Sequence, residues 1–186
     1  VILFIHHFFM STQNQLRKER LRKLEQWRKL GFDYAYQFDR THTSLQAQQE
    51  TQENTPREAN SILKKAKNNV RLCGRIMNIR EMGKLAFLRF QDEQGSFQVC
   101  LARNILGEKQ KNFLKLLDLG DFAGFAGELF TPKHGEPSLM ATEITPLVKA
   151  ILPLPEKFHG LQDQEARYRQ RYLDLITNSE VKQRFT

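Results

Sequence analysis

Between Val70 and Val148 the chain falls into short apolar-rich stretches set apart by turns. They read VRLCGRIMNIR, LAFLRFQD and SFQVCLA, then DFAGFAGELFT and PSLMATEITPLV, with glycines in the turns EMGK, EQG and PKHGE. Runs of this length bounded by glycine turns predict strands. One segment breaks the series: in EKQKNFLKLL, Phe113, Leu114, Leu116 and Leu117 recur at helical spacing, which predicts a helix closing one end of the sheet. The element order is therefore β-β-β-α-β-β.

That order is the order of a five-stranded OB barrel, a fold that carries oligonucleotides on the face of its second and third strands. Successive strand residues point to opposite faces. In the second strand Ala86, Leu88 and Phe90 share one face, and Phe87 and Arg89 the other. In the third, Phe97, Val99 and Leu101 oppose Gln98 and Cys100; in the first, Leu72 and Ile76 oppose Arg71, Cys73 and Arg75. One face is a core. The other gathers Arg75, Phe87, Arg89 and Gln98, an aromatic plate among cations and an amide. A single-stranded nucleic-acid site needs that mixture: a π-surface for a base, hydrogen-bonding groups for its edge and positive charge for phosphates. The competing roles are a core position for Phe87 and a surface ion pair for Arg75. Parity favours exposure of Phe87, because its neighbours already fill the buried face. Lys84 in the first hairpin, and Lys133 with His134 in the last, are expected to rim the same surface, and Glu136 sits in that last turn.

Outside the barrel, Gln13 to Leu30 reads as an amphipathic helix, residues 13–31 with its glycine cap. Leu16, Leu21, Leu24, Trp27 and Leu30 form its stripe and Gly31 its C-terminal stop. Its other faces are crowded with cations, Arg17, Lys18 and Arg22 among them. Such a helix either docks by its leucines with a solvated basic face, or adds contact with a phosphate backbone. Residues 1–12 read as an upstream or disordered extension: VILFIHHFFM is too short to span a bilayer and lacks a basic leader. Residues 32–69 read as an aromatic strap and a weakly packed polar linker, residues 70–149 as the barrel, and residues 150–186 as a linker into a further domain.

Composition sharpens one point. There are 29 Lys and Arg against 21 Asp and Glu, a formal charge of +8, which favours a polyanionic partner. Cys73 and Cys100 make no CxxC pair, and the five histidines show no metal-ligand spacing; reduced thiols in a cytoplasmic protein without bound metal are expected.

The segment after the barrel resembles that of bacterial lysyl-tRNA synthetases where the anticodon-binding barrel joins the class II catalytic domain. LPEKFHGL at 154–161 and RYRQRYLDLI at 167–176 carry the resemblance, supported by GRI at 74–76, MGK at 82–84, FQD at 90–92, LDLGD at 117–121 and HGE at 134–136. RYLDL marks the subclass shared with aspartyl and asparaginyl enzymes, and the Pro-Leu-Pro and Phe-His-Gly run selects the lysyl enzyme. The resemblance implies that the barrel binds the U-rich anticodon stem-loop of the lysine tRNA. Phe87 then stacks on the central base, Arg75 and Gln98 bond its edge, and Glu136 contacts a neighbouring base. It implies ATP and Mg²⁺ as cofactors, and a homodimer, for the full-length lysine-tRNA ligase. This chain is expected to hold no catalytic residue, because the motifs that bind ATP lie downstream of Thr186, and to be inactive alone. Two alternatives are a stand-alone RNA-binding module and a single-strand binder without sequence preference.

Overall fold

The structure is a computed structural model that describes residues 2–35, 37–53, 70–131, 136–154 and 164–185. Two helices, α1 (Ile2–Lys29) and α2 (Ser44–Glu53), precede the strands β1 (Val70–Met82), β2 (Leu85–Gln91) and β3 (Ser96–Ala102). Helix α3 (Glu108–Leu116) follows, then β4 (Phe122–Phe130) and β5 (Ser138–Val148), and last the short helices α4 (Gln164–Arg169), α5 (Arg171–Thr177) and α6 (Ser179–Phe185). The chain divides into two compact units, Arg17–Ile151 and Val1–Leu16 with Leu152–Thr186.

In the first unit the five strands close into a barrel in the order β1-β2-β3-β5-β4. β1 pairs antiparallel with both β2 and β4, β4 with β5, and the ring is completed by a parallel pairing of β3 and β5. The alternation sorts as expected: Leu72, Ile76, Ala86, Leu88, Phe90, Phe97, Val99 and Leu101 are all buried. Gly74 permits the close crossing of β1 over β2, since a Cβ there would lie 2.5 Å from the Phe90 ring and 2.6 Å from the Gln91 carbonyl. Gly83 turns the β1–β2 hairpin at φ +60°, a conformation glycine adopts without penalty.

A β-bulge between Ile76 and Asn78 interrupts the β1–β2 register. An inserted residue bends its strand and reverses the inside-outside sequence beyond it. Before the bulge the odd-numbered residues of β1 face outward, and after it Asn78 and Arg80 do.

Helix α1 docks by Leu24 and the fully buried Trp27, whose ring meets Phe32 at 5.0 Å and Phe113 of α3 at 6.5 Å. Two differences from the sequence reading concern this helix. Its backbone is helical from Ile2, not from residue 13, because neither glycine nor proline interrupts the chain before Gly31. Its apolar stripe is also only partly used: Leu24, Trp27 and Leu30 pack with the core, whereas Leu16 and Leu21 are exposed, at 45% and 40%.

The polar linker also departs from expectation, because residues 44–53 form α2. Thr43 and Gln46 make a reciprocal cap, with the Thr43 N–H donating to Gln46 Oε1 at 2.8 Å and the Gln46 N–H to Thr43 Oγ1 at 3.3 Å. The Asp92 carboxylate accepts from the N–H and hydroxyl of Ser44 at 2.7 and 2.6 Å, fastening α2 to the β2–β3 turn. Residues 54–69, the rest of that linker, lie outside the described residues. The strap is held too: the Thr41 N–H donates to the Arg71 carbonyl at 2.9 Å, and the Phe38 ring lies against Gly124.

In the second unit, Asp174 is 1% exposed and accepts from Arg167 and Arg171 at 3.2 and 3.0 Å. Arg171 also lies over the rings of Tyr168 and Phe185. Most of LPEKFHGL, residues 155–161, lies outside the described residues. Among the described residues no helix is long and apolar enough to cross a membrane.

Candidate nucleic-acid interface

Residues directly opposite one another on paired strands point to the same side of a sheet. Two rungs follow on the outer face of the barrel. One runs Arg80, Phe87, Cys100, Met140; the next runs Asn78, Arg89, Gln98, Ser138. Arg80, Phe87, Asn78, Arg89 and Gln98, with Met82 and Glu136, line an open groove of about 340 Å³.

The polar rung is cross-linked. Gln98 Nε2 donates to Ser138 Oγ at 2.9 Å, and that hydroxyl donates to the Glu136 carbonyl at 2.8 Å. Ser138 is fully buried, so this chain of bonds fixes the backbone from which the exposed Glu136 side chain projects. The Glu136 carboxylate in turn pairs with Arg89 Nη2, while Arg89 Nη1 reaches Ser96 Oγ at 3.4 Å. Gln98 is left with its carbonyl oxygen as an acceptor, Glu136 offers a carboxylate, and Arg80, Arg89 and Asn78 offer donors beside the half-buried Phe87 ring. The groove can therefore stack one planar group and bond donors and acceptors on its edge. Among the described residues it holds no nucleophile-and-base pair, and no three His, Cys, Asp or Glu side chains converge to hold a metal ion.

The groove unites Phe87, Arg89, Gln98 and Glu136 from the sequence reading and excludes Arg75. Arg75 faces outward, but it pairs with Gln91 and Phe122 before the bulge. Its guanidinium packs over the Phe122 ring at 4.3 Å and donates to the Gly120 carbonyl at 3.3 Å; burial pushes its pKa down from the ordinary arginine value. The place beside Phe87 that parity gave to Arg75 belongs to Arg80, directly across the strand pair. The bulge is the reason, and nothing in the run RIMNIRE signals it beforehand. Asn78 and Met82 were missed for the same cause.

Lys84 is exposed in the hairpin next to the groove and does not line it. Cys100 shares the Phe87 rung but is 2% exposed, covered between Phe87 and Met140, so it adds no open surface. Burial pushes the Cys100 and Cys73 thiols up, and both are free. Arg17, Lys18 and Arg22 are exposed on α1 and none lines the groove; Arg22 is paired with Glu19 at 2.7 Å. Lys133 and His134 lie outside the described residues.

Comparison with known proteins bears on the same region. A model of the family described as OB-fold nucleic acid binding domain matches residues 70–147. The chain is 45% identical over 179 residues to the lysine–tRNA ligase of Dehalococcoides mccartyi strain 195, covering 93% of this chain and 34% of that protein. It is 46% identical over 179 residues to the lysine–tRNA ligase of Escherichia coli K12, covering 95% of this chain and 34% of that protein. With that of Dechloromonas aromatica it shares 42% identity over 176 residues, again 34% of the relative's length. The chain thus spans about a third of the length of these curated relatives.

Proposed function

Residues 70–147 form an OB-fold nucleic acid binding domain in a chain homologous to lysine–tRNA ligases over 34% of their length, and from that premise we propose that this chain reads the anticodon of the lysine tRNA. The observation that carries the reading is the groove itself, an open aromatic ring between two arginines, with a carboxylate and an amide held by a bonded network.

Phe87 stacks on the central anticodon base. Arg80, opposite it on β1, and the Gln98 carbonyl oxygen address that base's edge. A uracil presents two carbonyl acceptors and one imino donor, and this pairing of a guanidinium with an amide carbonyl complements them. Glu136 accepts from a donor on a neighbouring base. One stacked base contributes about 1–3 kcal/mol, so phosphate contacts must add to it, and Arg17, Lys18, Arg22 and Lys84 are the exposed cations assigned to them.

For the whole protein we propose the activity of its relatives, ATP- and Mg²⁺-dependent attachment of lysine to tRNA by a homodimer. The described residues hold no cluster suited to a divalent ion, so neither ATP nor Mg²⁺ is assigned a residue of this chain.

The test is binding of the 186-residue chain to a hairpin with UUU in its loop, against the same hairpin with the central U changed to C. A preference for UUU supports the reading. Equal binding of both hairpins, or a flat response across homopolymers, makes the chain a general single-strand binder and overturns it.

A further inference from the structure

Within the proposed groove, the Arg89–Glu136 ion pair is set apart by its exposure. The side chains are 36% and 59% accessible, and an ion pair so wetted is worth at most about 1 kcal/mol. It is cheap to open. Both partners have a second anchor that survives its opening: the Glu136 backbone is fixed through Ser138 and Gln98, and Arg89 reaches Ser96. Closed, the pair is close to neutral overall. Each charge is largely spent on the other while the pair is closed, so a ligand meets a full charge only when the pair opens.

We propose that the pair is an exchange latch, a deeper account of the groove that rests on the anticodon reading. An imino N–H of a loop uracil takes the Glu136 carboxylate as its acceptor, and the displaced Arg89 guanidinium moves onto a phosphodiester of the same strand. The exchange conserves hydrogen bonds, since the carboxylate trades one donor for another and the guanidinium one anion for another. It also makes the phosphate contact conditional on the base contact. A strand without an imino donor at that position leaves Glu136 on Arg89 and forfeits both. Discrimination therefore exceeds what one neutral hydrogen bond supplies, because a wrong base forfeits a charged contact as well.

Coupling of this kind appears in the salt dependence. Each phosphate contact on a single strand contributes about 0.7 to the slope of log K against log salt. For the UUU hairpin, Arg89→Gln is expected to lower affinity roughly tenfold at low salt and to reduce the slope by about 0.7. Arg89→Lys keeps the slope, which separates loss of charge from loss of fold. The decisive arm uses hairpins carrying N3-methyluridine at each loop position in turn. At one position the methyl group, which removes the imino donor, should lower the slope of the parent chain by the same amount and leave the slope of Arg89→Gln unchanged. If Arg89→Gln keeps the parent slope, Arg89 never reaches phosphate and the latch is wrong. If methylation and Arg89→Gln act additively at every position, the contacts are independent and the coupling is wrong. Loss of UUU preference in the parent chain would sink the anticodon reading instead, and the Arg89 slope measurement stands apart from it.

Discussion

Phe87 occupies an uncommon position for a strand phenylalanine, half-buried on the outer face of a barrel whose inner face is complete without it. Truncating it removes an accessible ring of the groove and little core. Phe87→Ala should weaken binding of the UUU hairpin by about 1–3 kcal/mol while leaving thermal unfolding nearly unchanged; a large drop in melting temperature would identify the ring as a packing residue. The two arginines of β1 should separate in the opposite sense. Arg80→Gln should lower binding and spare stability, because Arg80 is exposed beside Phe87. Arg75→Gln should lower stability and largely spare binding, because its guanidinium is committed to Phe122 and Gly120. Sequence parity identified Phe87, Arg89 and Gln98 correctly as neighbours because β2 and β3 pair without interruption. It chose the wrong arginine because parity counts residues, and one extra residue in a bulge shifts the count for all that follow.

Among the elements, α1 and α2 teach different lessons. The cations of α1 and its docking by an apolar stripe were legible in the sequence, but the residues that dock were not, because a stripe does not say which of its members find a partner. Trp27 does so against Phe32 and Phe113 of α3 and Leu24 within the same buried cluster, while Leu21 stays exposed. If the basic face of α1 contacts phosphate, replacing Arg17, Lys18 and Arg22 together with Gln should weaken binding to every RNA alike and flatten its salt dependence, with UUU preference intact. A loss of preference without a change of slope would count against that role. Helix α2 was hidden for a different reason: its Gln- and Thr-rich composition resembles a linker, and its stability comes from the Thr43–Gln46 cap and the Asp92 anchor. The capping signature Thr-Ser-Leu-Gln at 43–46 was the readable signal. Thr43→Ala should cost about 0.5–2 kcal/mol, measured as earlier hydrogen exchange across α2 with the barrel amides still protected.

At the scale of the Arg17–Ile151 unit, a cluster of charges ties its helices to its barrel. The Lys149 ammonium is fully buried and donates to Asp118 at 2.6 Å, Asp121 at 2.7 Å and the Leu116 carbonyl at 2.8 Å, with the Trp27 ring 4.8 Å away. Asp118 also accepts from Lys23 of α1 at 2.6 Å. Asp121 accepts from the N–H groups of Asp118 and Ala150 at 2.7 and 2.8 Å, and Arg20 of α1 donates to the Ala150 carbonyl at 2.8 Å. One lysine thus joins α1, the α3–β4 turn and the exit of β5. Replacing it with alanine leaves Asp121 without a cation and Asp118 with Lys23 alone, and breaking a buried pair in this way costs about 3–5 kcal/mol. The two carboxylates respond to pH in opposite senses. At Asp118 burial acts to raise the pKa, but hydrogen bonds from Lys149 and Lys23 prevail and hold it below the ordinary value. The stability it contributes is complete above the carboxylate's unfolded pKa and is lost as pH falls through the lowered one. At Asp121 burial prevails and raises the pKa, so protonation there begins earlier and partly offsets the loss. The chain should consequently lose stability in acid chiefly through Asp118. Asp118→Asn should start from a lower melting temperature at neutral pH and fall less than the parent on acidification from about pH 6 to about pH 3. Equal declines in parent and variant would place the acid sensitivity elsewhere in the fold.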